Sequence, residues 1–174
     1  VPPAQHHVYV KDARLFLRTT PNQYDVIWVD AFARHLVPFH LTTKEFFAEV
    51  RAHLKPDGVL AVNLAASGSG SDRQRSQSVV ATMRTSFPAI ESFAVKGSKG
   101  ADNLIFFAGA PTVSMRPQEF QARINRLIDA RRMPAETAAL LVTRRESAWS
   151  DAVVLTDDYA PFDLLMAGGM GGRQ

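Results

Sequence analysis

The chain has 174 residues, of which 46% are hydrophobic and 21% charged, and it contains no cysteine. The absence of Cys excludes thiolate metal sites and cysteine nucleophiles. The 20 Lys and Arg against 17 Asp and Glu give a formal charge of +3, too small an excess to indicate a nucleic-acid-binding surface. Apolar runs have the length of strands, well short of the roughly 20 residues that cross a bilayer. We therefore expect no nucleic-acid partner, no membrane segment in this chain and a cytoplasmic location.

Strands and helices alternate in the first half of the chain. Residues 6–10 predict a short strand, and Asp12 is placed to cap a helix over residues 13–18. The continuous apolar run within residues 24–32 predicts a parallel strand that is buried on both faces. Helical spacing, Gly-Ser clusters and a second apolar run then predict a helix over 42–54, a strand over 58–65 and a helix over 72–87.

The second half predicts a change of strand direction. Residues 90–96 and 103–109 read as two strands joined by a short loop, which favours an antiparallel hairpin. Helices are predicted over 117–131 and 135–146. The order indicates an α/β fold with a mostly parallel sheet and a terminal antiparallel hairpin. We expect one domain over residues 1–166 and a flexible glycine-rich tail over 167–174.

Two carboxylates follow predicted strands. In parallel α/β sheets, ligands bind outside the carboxyl ends of the strands, so Asp12 and Asp30 are expected to open onto the same edge. Asp30 has the chemistry of a general base or of a binding group for a cationic amine, although it is also suited to cap the following turn. Asp12 is equally explained as a helix N-cap.

An acidic and aromatic cluster lies near the end of the chain, at Asp157, Asp158 and Tyr159. Two adjacent acids beside an aromatic ring favour binding of a polycation by charge and cation–π contact. A turn that caps a following helix explains the same residues equally well. The histidines do not indicate a metal site, because His35 and His40 lack helical i, i+4 spacing and have no acid between them.

Four segments together carry a family resemblance: VKDARLFL at 10–17, YDVIWVDAF at 24–32, PFHLTTKEFF at 38–47 and PDGVLAVN at 56–63. In order and spacing they resemble the spermidine synthase family, and LTDDYAP at 155–161 resembles the ending of its bacterial spermidine synthase-like branch. The resemblance implies a Rossmann-like sheet, of the type found in S-adenosylmethionine-dependent methyltransferases. It also implies transfer of an aminopropyl group from decarboxylated S-adenosylmethionine to putrescine, without a metal and in a homo-oligomer.

Site residues carry over from the family by position. Asp12 with Ala13 matches the element that recognises the adenine amino group, and Asp30 matches the acid that orients and deprotonates the attacking amine. Pro38 falls near a proline that lines the nucleoside pocket. Asp157, Asp158 and Tyr159 remain candidates for binding the polyamine.

The chain also departs from the family pattern. Arg34 stands close to where a second acid is expected, and the glycine-rich turn and ribose-binding acid that lie upstream in the family are absent from this sequence. We therefore expect the later part of a catalytic domain, without its N-terminal strands, within a longer protein. Two alternatives stay open: a noncatalytic binding domain of the same fold, and an S-adenosylmethionine-dependent methyltransferase.

Overall fold

The computed structural model describes residues 6–31, 38–66, 71–95, 102–110, 117–134, 141–144 and 152–159. Arg34 and the predicted tail over 167–174 lie outside these ranges. The described helices and strands are, in chain order, α1 (Ala13–Thr19), β1 (Tyr24–Val29), α2 (Lys44–His53), β2 (Leu54–Ala66), α3 (Ser71–Met83), β3 (Ala89–Val95), β4 (Asp102–Gly109), α4 (Pro117–Asp129) and β5 (Leu141–Arg144).

The strands form one sheet in the order β1-β2-β4-β3-β5. β1 and β2 are parallel, whereas β2–β4, β3–β4 and β3–β5 are antiparallel. The α/β class and the hairpin of β3 and β4 are therefore confirmed. The described part of the sheet is mixed rather than mostly parallel, because the crossover between β1 and β2 is followed by strands that return in alternating directions.

The prediction that β1 is buried on both faces was wrong. Val29 is buried and Ile27 packs against the core, but Val26 and Trp28 are 58% and 56% exposed. The exposed residues Val26 and Trp28 alternate with the core-facing residues Ile27 and Val29, because successive side chains of a strand point to opposite faces. Among the described strands, β1 pairs only with β2, which places it at an edge of the sheet. A continuous apolar run therefore did not distinguish a one-sided edge strand from a central one.

Two other predicted elements differ from the structure. Residues 6–10 form no strand, and their side chains, including Val8 and Val10, are exposed. Residues 141–144, predicted within a helix, form β5 and pair with β3 through contacts such as Val142 opposite Ala94. The run contains Leu, Val and Thr, which are suited to a strand. Its pairing with β3 therefore prevails over the helical spacing of the sequence. The rest of the helix predicted over 135–146 lies outside the described residues.

The core lies between α2, α3 and one face of the sheet. α2 begins at its N-cap Thr43, whose hydroxyl accepts the Phe46 N–H, and it buries Phe46, Phe47 and Val50. These side chains belong to a cluster that also contains residues of β2, α3 and β4, among them Leu60, Val62, Val79, Met83 and Phe106. The helices of the described chain include none long and apolar enough to span a bilayer.

The segment over 152–159 closes this core from the far end of the chain. Leu155 is fully buried, its N–H donates to Thr82 Oγ1 at 2.9 Å, and its carbonyl accepts the Lys44 N–H at 2.9 Å. These bonds satisfy the buried backbone groups of Leu155. The start of α2 and the segment over 152–159 are thereby held together.

Candidate active site

A cavity of about 430 Å³ lies beside β1 and the beginning of α1. Its size is typical of a site for a small molecule or nucleoside. The lining is largely apolar and aromatic, with Lys11 and Asp30 as the charged groups among the described lining residues. Ala13 and Asp30, assigned to different halves of the predicted site, both line it. The other described lining residues are Tyr9, Phe16, Leu17, Tyr24, Val26, Ile27, Trp28, Val29, Ala31, Leu41 and Phe46.

Asp30 directly follows β1, as the sequence predicted, and its carboxylate is held by a neighbouring strand. Asn63 Nδ2 donates a hydrogen bond to Asp30 Oδ1 at 2.9 Å. The parallel register pairs Val29 with Val62, so the next residue on each strand lies beside its counterpart. The sequence did not indicate this role of Asn63, because the register that pairs Val29 with Val62 is visible only in the structure.

Asp12 is the N-cap of α1, which confirms that prediction. Its Oδ1 accepts the Leu15 N–H at 2.9 Å, and its Oδ2 lies 2.9 Å from His40 Nε2. The Leu15 N–H, and secondarily His40, lower the pKa of the Asp12 carboxyl. Asp12 is therefore ionised at neutral pH. Its neighbours in sequence, Lys11 and Ala13, both line the cavity.

Pro38 lies at the start of a short 3-10 turn over Phe39–Leu41. Its carbonyl accepts the Leu41 N–H at 2.9 Å, and Leu41 is a buried residue that lines the cavity. Pro38 itself is not among the described lining residues. The structure thus places Pro38 next to the cavity wall, and its predicted contact with a nucleoside stays a prediction.

Asp157 is committed to contacts within the protein. Arg14 donates to both of its oxygens, at 2.7 and 2.8 Å, and Thr43 Oγ1 donates to Oδ1 at 2.7 Å. The Arg14 hydrogen bonds, followed by the one from Thr43, lower the pKa of the Asp157 carboxyl. These contacts fasten the segment over 152–159 to α1 and α2. The predicted role of Asp157 in binding substrate stays a prediction, beside this structural role.

Arg14 is the centre of this cluster. Its guanidinium also donates two bonds to Glu49, both at 2.9 Å, and one to the His40 carbonyl at 3.1 Å. Burial opposes the charge of Glu49, but the hydrogen bonds from Arg14 and Arg18 outweigh it and lower the pKa of the Glu49 carboxyl. Arg14 follows Ala13 in sequence, so the cluster anchors the end of α1 that contributes to the cavity.

Asp158 and Tyr159 lie in an exposed turn. The turn is closed by the Thr156 N–H donating to the Tyr159 carbonyl at 2.9 Å and by the reverse bond at 3.1 Å. Neither Asp158 nor Tyr159 is among the described residues of the cavity wall. Their binding of a polyamine stays a prediction, and the helix that this turn was alternatively expected to cap lies outside the described residues.

Within the described ranges, no group of three or more His, Asp and Glu side chains is placed to hold a metal ion. The described residues of the cavity wall that carry polar side-chain groups are Asp30, Lys11, Tyr9, Tyr24 and Trp28. This combination, in a largely apolar cavity, is suited to an organic ligand with an aromatic part and a basic nitrogen.

The spermine/spermidine synthase domain model matches residues 3–109. The chain belongs to the spermine/spermidine synthase family. This match includes every residue of the cavity wall named above, together with Asp12, Pro38 and Asn63. A probable polyamine aminopropyl transferase of Bifidobacterium longum (strain NCC 2705) is 28% identical over 175 residues, which cover 94% of this chain and 39% of that protein. The chain thus spans well under half the length of this family relative.

Solved structures show the same fold. A probable spermidine synthase from Corynebacterium glutamicum ATCC 13032 superposes with a TM-score of 0.61 at 24% identity, covering 87% of this chain and 54% of that one. Human methyltransferase-like protein 13, in complex with SAH, superposes with a TM-score of 0.57 at 22% identity, covering 88% and 66%. This spermine/spermidine synthase family member therefore has the Rossmann-like fold that was predicted.

Proposed function

We propose that this chain is the part of an aminopropyltransferase that holds the nucleoside and activates the acceptor amine. The donor would be decarboxylated S-adenosylmethionine and the expected acceptor is putrescine. One observation carries the proposal: Ala13, next to the expected adenine-binding acid, and Asp30, the expected base, line the same cavity. Family membership and the printed name of the Bifidobacterium longum relative support it.

The reaction needs a base at the amine. An ammonium has no free electron pair, so a carboxylate must accept its proton before nitrogen can attack. We propose Asp30 for this role; its position at the end of β1 on the cavity wall and its hydrogen bond from Asn63 support the proposal. The new bond joins the amine nitrogen to the aminopropyl carbon, the bond from that carbon to sulfur breaks, and methylthioadenosine leaves as the neutral thioether. The amine proton passes to Asp30.

The nucleoside would lie along the apolar part of the wall. Phe16, Ile27 and Leu41 offer apolar surfaces for a planar base and a thioether. Leu41 is buried and the other two are half-buried, so this part of the wall would limit the access of water to the reacting carbon. Asp12 accepts one N–H from Leu15 and contacts His40, which fixes its carboxylate while leaving lone pairs for an adenine amino group. Asp12, Ala13 and Pro38 are thus proposed as nucleoside residues.

The charge balance of the cavity bears on the acceptor. A diamine such as putrescine carries two ammonium groups at neutral pH, and each is stabilised by an anion. Among the described lining residues, Asp30 is the carboxylate and Lys11 is a cation. Family membership makes putrescine the first acceptor to test. The single described carboxylate makes a monoamine of similar length the second, because a monoamine needs one anion only.

The test uses the complete reading frame that contains this chain. Purified protein is incubated with putrescine and either decarboxylated S-adenosylmethionine or S-adenosylmethionine, and products are identified by mass spectrometry. Spermidine and methylthioadenosine from the decarboxylated donor are the expected products. Methylated product from the carboxylated donor would replace the proposal with a methyltransferase. Failure of calorimetry to detect binding of either donor or of methylthioadenosine would indicate a noncatalytic domain.

A cytoplasmic location and a homo-oligomer stay predictions, tested by fractionation and by light scattering.

A further inference from the structure

Two buried side-chain atoms of the described residues have no hydrogen-bond partner: Asn63 Oδ1 and Ser78 Oγ. Polar groups buried in this way are uncommon in folded proteins, because they lose their hydrogen bonds to water without replacement. Ser78 lies within α3 and is not among the described residues of the cavity wall. Asn63, in contrast, contacts the proposed base, so its unsatisfied oxygen calls for a functional explanation.

The orientation of the Asn63 amide follows from its partner. An ionised carboxylate only accepts hydrogen bonds, so the Nδ2 group must face Asp30, where it donates at 2.9 Å. This leaves Oδ1 as the buried atom without a hydrogen-bond partner. A flipped Asn63 amide would place its Oδ1 against the Asp30 carboxylate. That arrangement brings two acceptors together and leaves the Nδ2 group without an acceptor.

We infer that Asn63 is a positioning residue, which holds the Asp30 carboxylate in place for the amine at the cost of one unsatisfied acceptor in the sheet. This inference rests on the proposed function of Asp30. The two residues lie at the carboxyl ends of neighbouring parallel strands, and the register of Val29 with Val62 makes their separation a property of the sheet. One Asp30 oxygen is thus fixed, and the other is left for the incoming nitrogen.

The decisive variant is Asn63→Leu, which keeps nearly the same shape and removes both the donor and the unsatisfied acceptor. We expect its melting temperature to equal or exceed that of the wild type, because a buried polar group without a partner is replaced by an apolar one. We expect kcat to fall by about ten- to hundredfold with little change in the KM for the nucleoside donor, because the base is no longer oriented. Ser78→Ala is the matched control and is expected to change stability in the same direction while leaving kcat unchanged.

A second measurement is independent of turnover. The protein is labelled with ¹⁵N at asparagine, and the Asn63 side-chain amide signal is assigned by its loss in Asn63→Leu. That signal is expected to move in Asp30→Ala and to stay in place in Asp25→Ala, which removes the exposed acid at the other end of β1. An unmoved signal in Asp30→Ala would overturn the inference, as would wild-type kcat in Asn63→Leu. If the Asn63 amide signal moves in Asp30→Ala but the wild type forms no spermidine, the proposed function fails while the hydrogen bond between Asn63 and Asp30 is confirmed.

Discussion

Arg14 and Asp157, 143 positions apart in the sequence, form a two-bond ion pair with N–O distances of 2.7 and 2.8 Å. The pair joins the first described helix to the last described segment. The Arg14 side chain is 7% exposed, and it also holds Glu49 and the backbone of His40. Arg14 directly follows Asp12 and Ala13, the proposed adenine-binding element. Its side chain therefore connects α1 to Glu49 of α2, to the backbone of His40 and to Asp157.

Arg14→Met is expected to lower the free energy of unfolding by about 2 to 3 kcal/mol, because it leaves Asp157 and the half-buried Glu49 without their main partner. Arg18 also contacts Glu49 but is 53% exposed, so Arg18→Met is expected to cost about 1 kcal/mol or less. Urea unfolding of both variants measures the difference. Equal losses for the two variants would contradict a central role of Arg14.

The same cluster predicts how stability depends on pH. The folded-state pKa values of Glu49 and Asp157 lie below their ordinary values of 4.5 and 3.8, so the unfolded chain binds more protons in this range. Their contribution is complete above about pH 5 and is lost as pH falls through the ordinary values and then the lowered ones. Thermal unfolding between pH 3 and 7 should show a steeper acid loss in the wild type than in Arg14→Met. Parallel curves would show that these carboxylates are not the cause.

Gly58 is required by the close approach of two strands. A Cβ at this position would lie 2.9 Å from the Tyr24 carbonyl oxygen and 3.1 Å from the Leu54 side chain, and backbone cannot move aside easily. Gly58→Ala is therefore expected to destabilise the protein by about 1 to 3 kcal/mol. Asp57→Ala, at the adjacent exposed residue, is the control and should leave the melting temperature nearly unchanged. An unchanged melting temperature in Gly58→Ala would show that the pairing of β1 with β2 adjusts to the added methyl group.

Asp12 has two separable roles, as a helix cap and as the proposed adenine acid. Asp12→Asn keeps an oxygen that accepts the Leu15 N–H, so its melting temperature should stay close to that of the wild type, whereas Asp12→Ala should lose about 1 kcal/mol. Both variants should bind methylthioadenosine about tenfold or more weakly, because the charged acceptor is gone. The emission of Trp28, which lines the cavity, reports this binding. Unchanged affinity in both variants would remove Asp12 from the nucleoside site.

The parts of the site that were predictable from sequence are those that depend on local order. An acid directly before an apolar helix indicated the cap at Asp12, and an acid directly after an apolar run indicated the strand end at Asp30. Ala13 came from the family resemblance, in which it accompanies Asp12. These assignments need neither the sheet order nor the distant parts of the chain, and the structure places both Ala13 and Asp30 on one cavity wall.

The parts that were not predictable depend on pairings between distant residues. Asp157 was interpreted as a ligand of a polycation or as part of a helix-capping turn, because the sequence does not show that Arg14 reaches it. Trp28 was expected in the interior because an apolar run does not reveal that its strand lies at the edge of the described sheet. Asn63 drew no attention because its meaning comes from the parallel register that sets it beside Asp30.

The Asp30 carboxylate is proposed to accept the proton of the attacking amine. Asp30→Asn keeps the shape of the side chain and removes the base, and Asp25→Asn, at the start of the same strand and paired with Lys55, is the matched control. Spermidine formation from saturating putrescine and decarboxylated S-adenosylmethionine is the measurement. We predict that kcat falls by about 10² to 10⁴ in Asp30→Asn and is unchanged in Asp25→Asn. Wild-type kcat in Asp30→Asn would contradict the account.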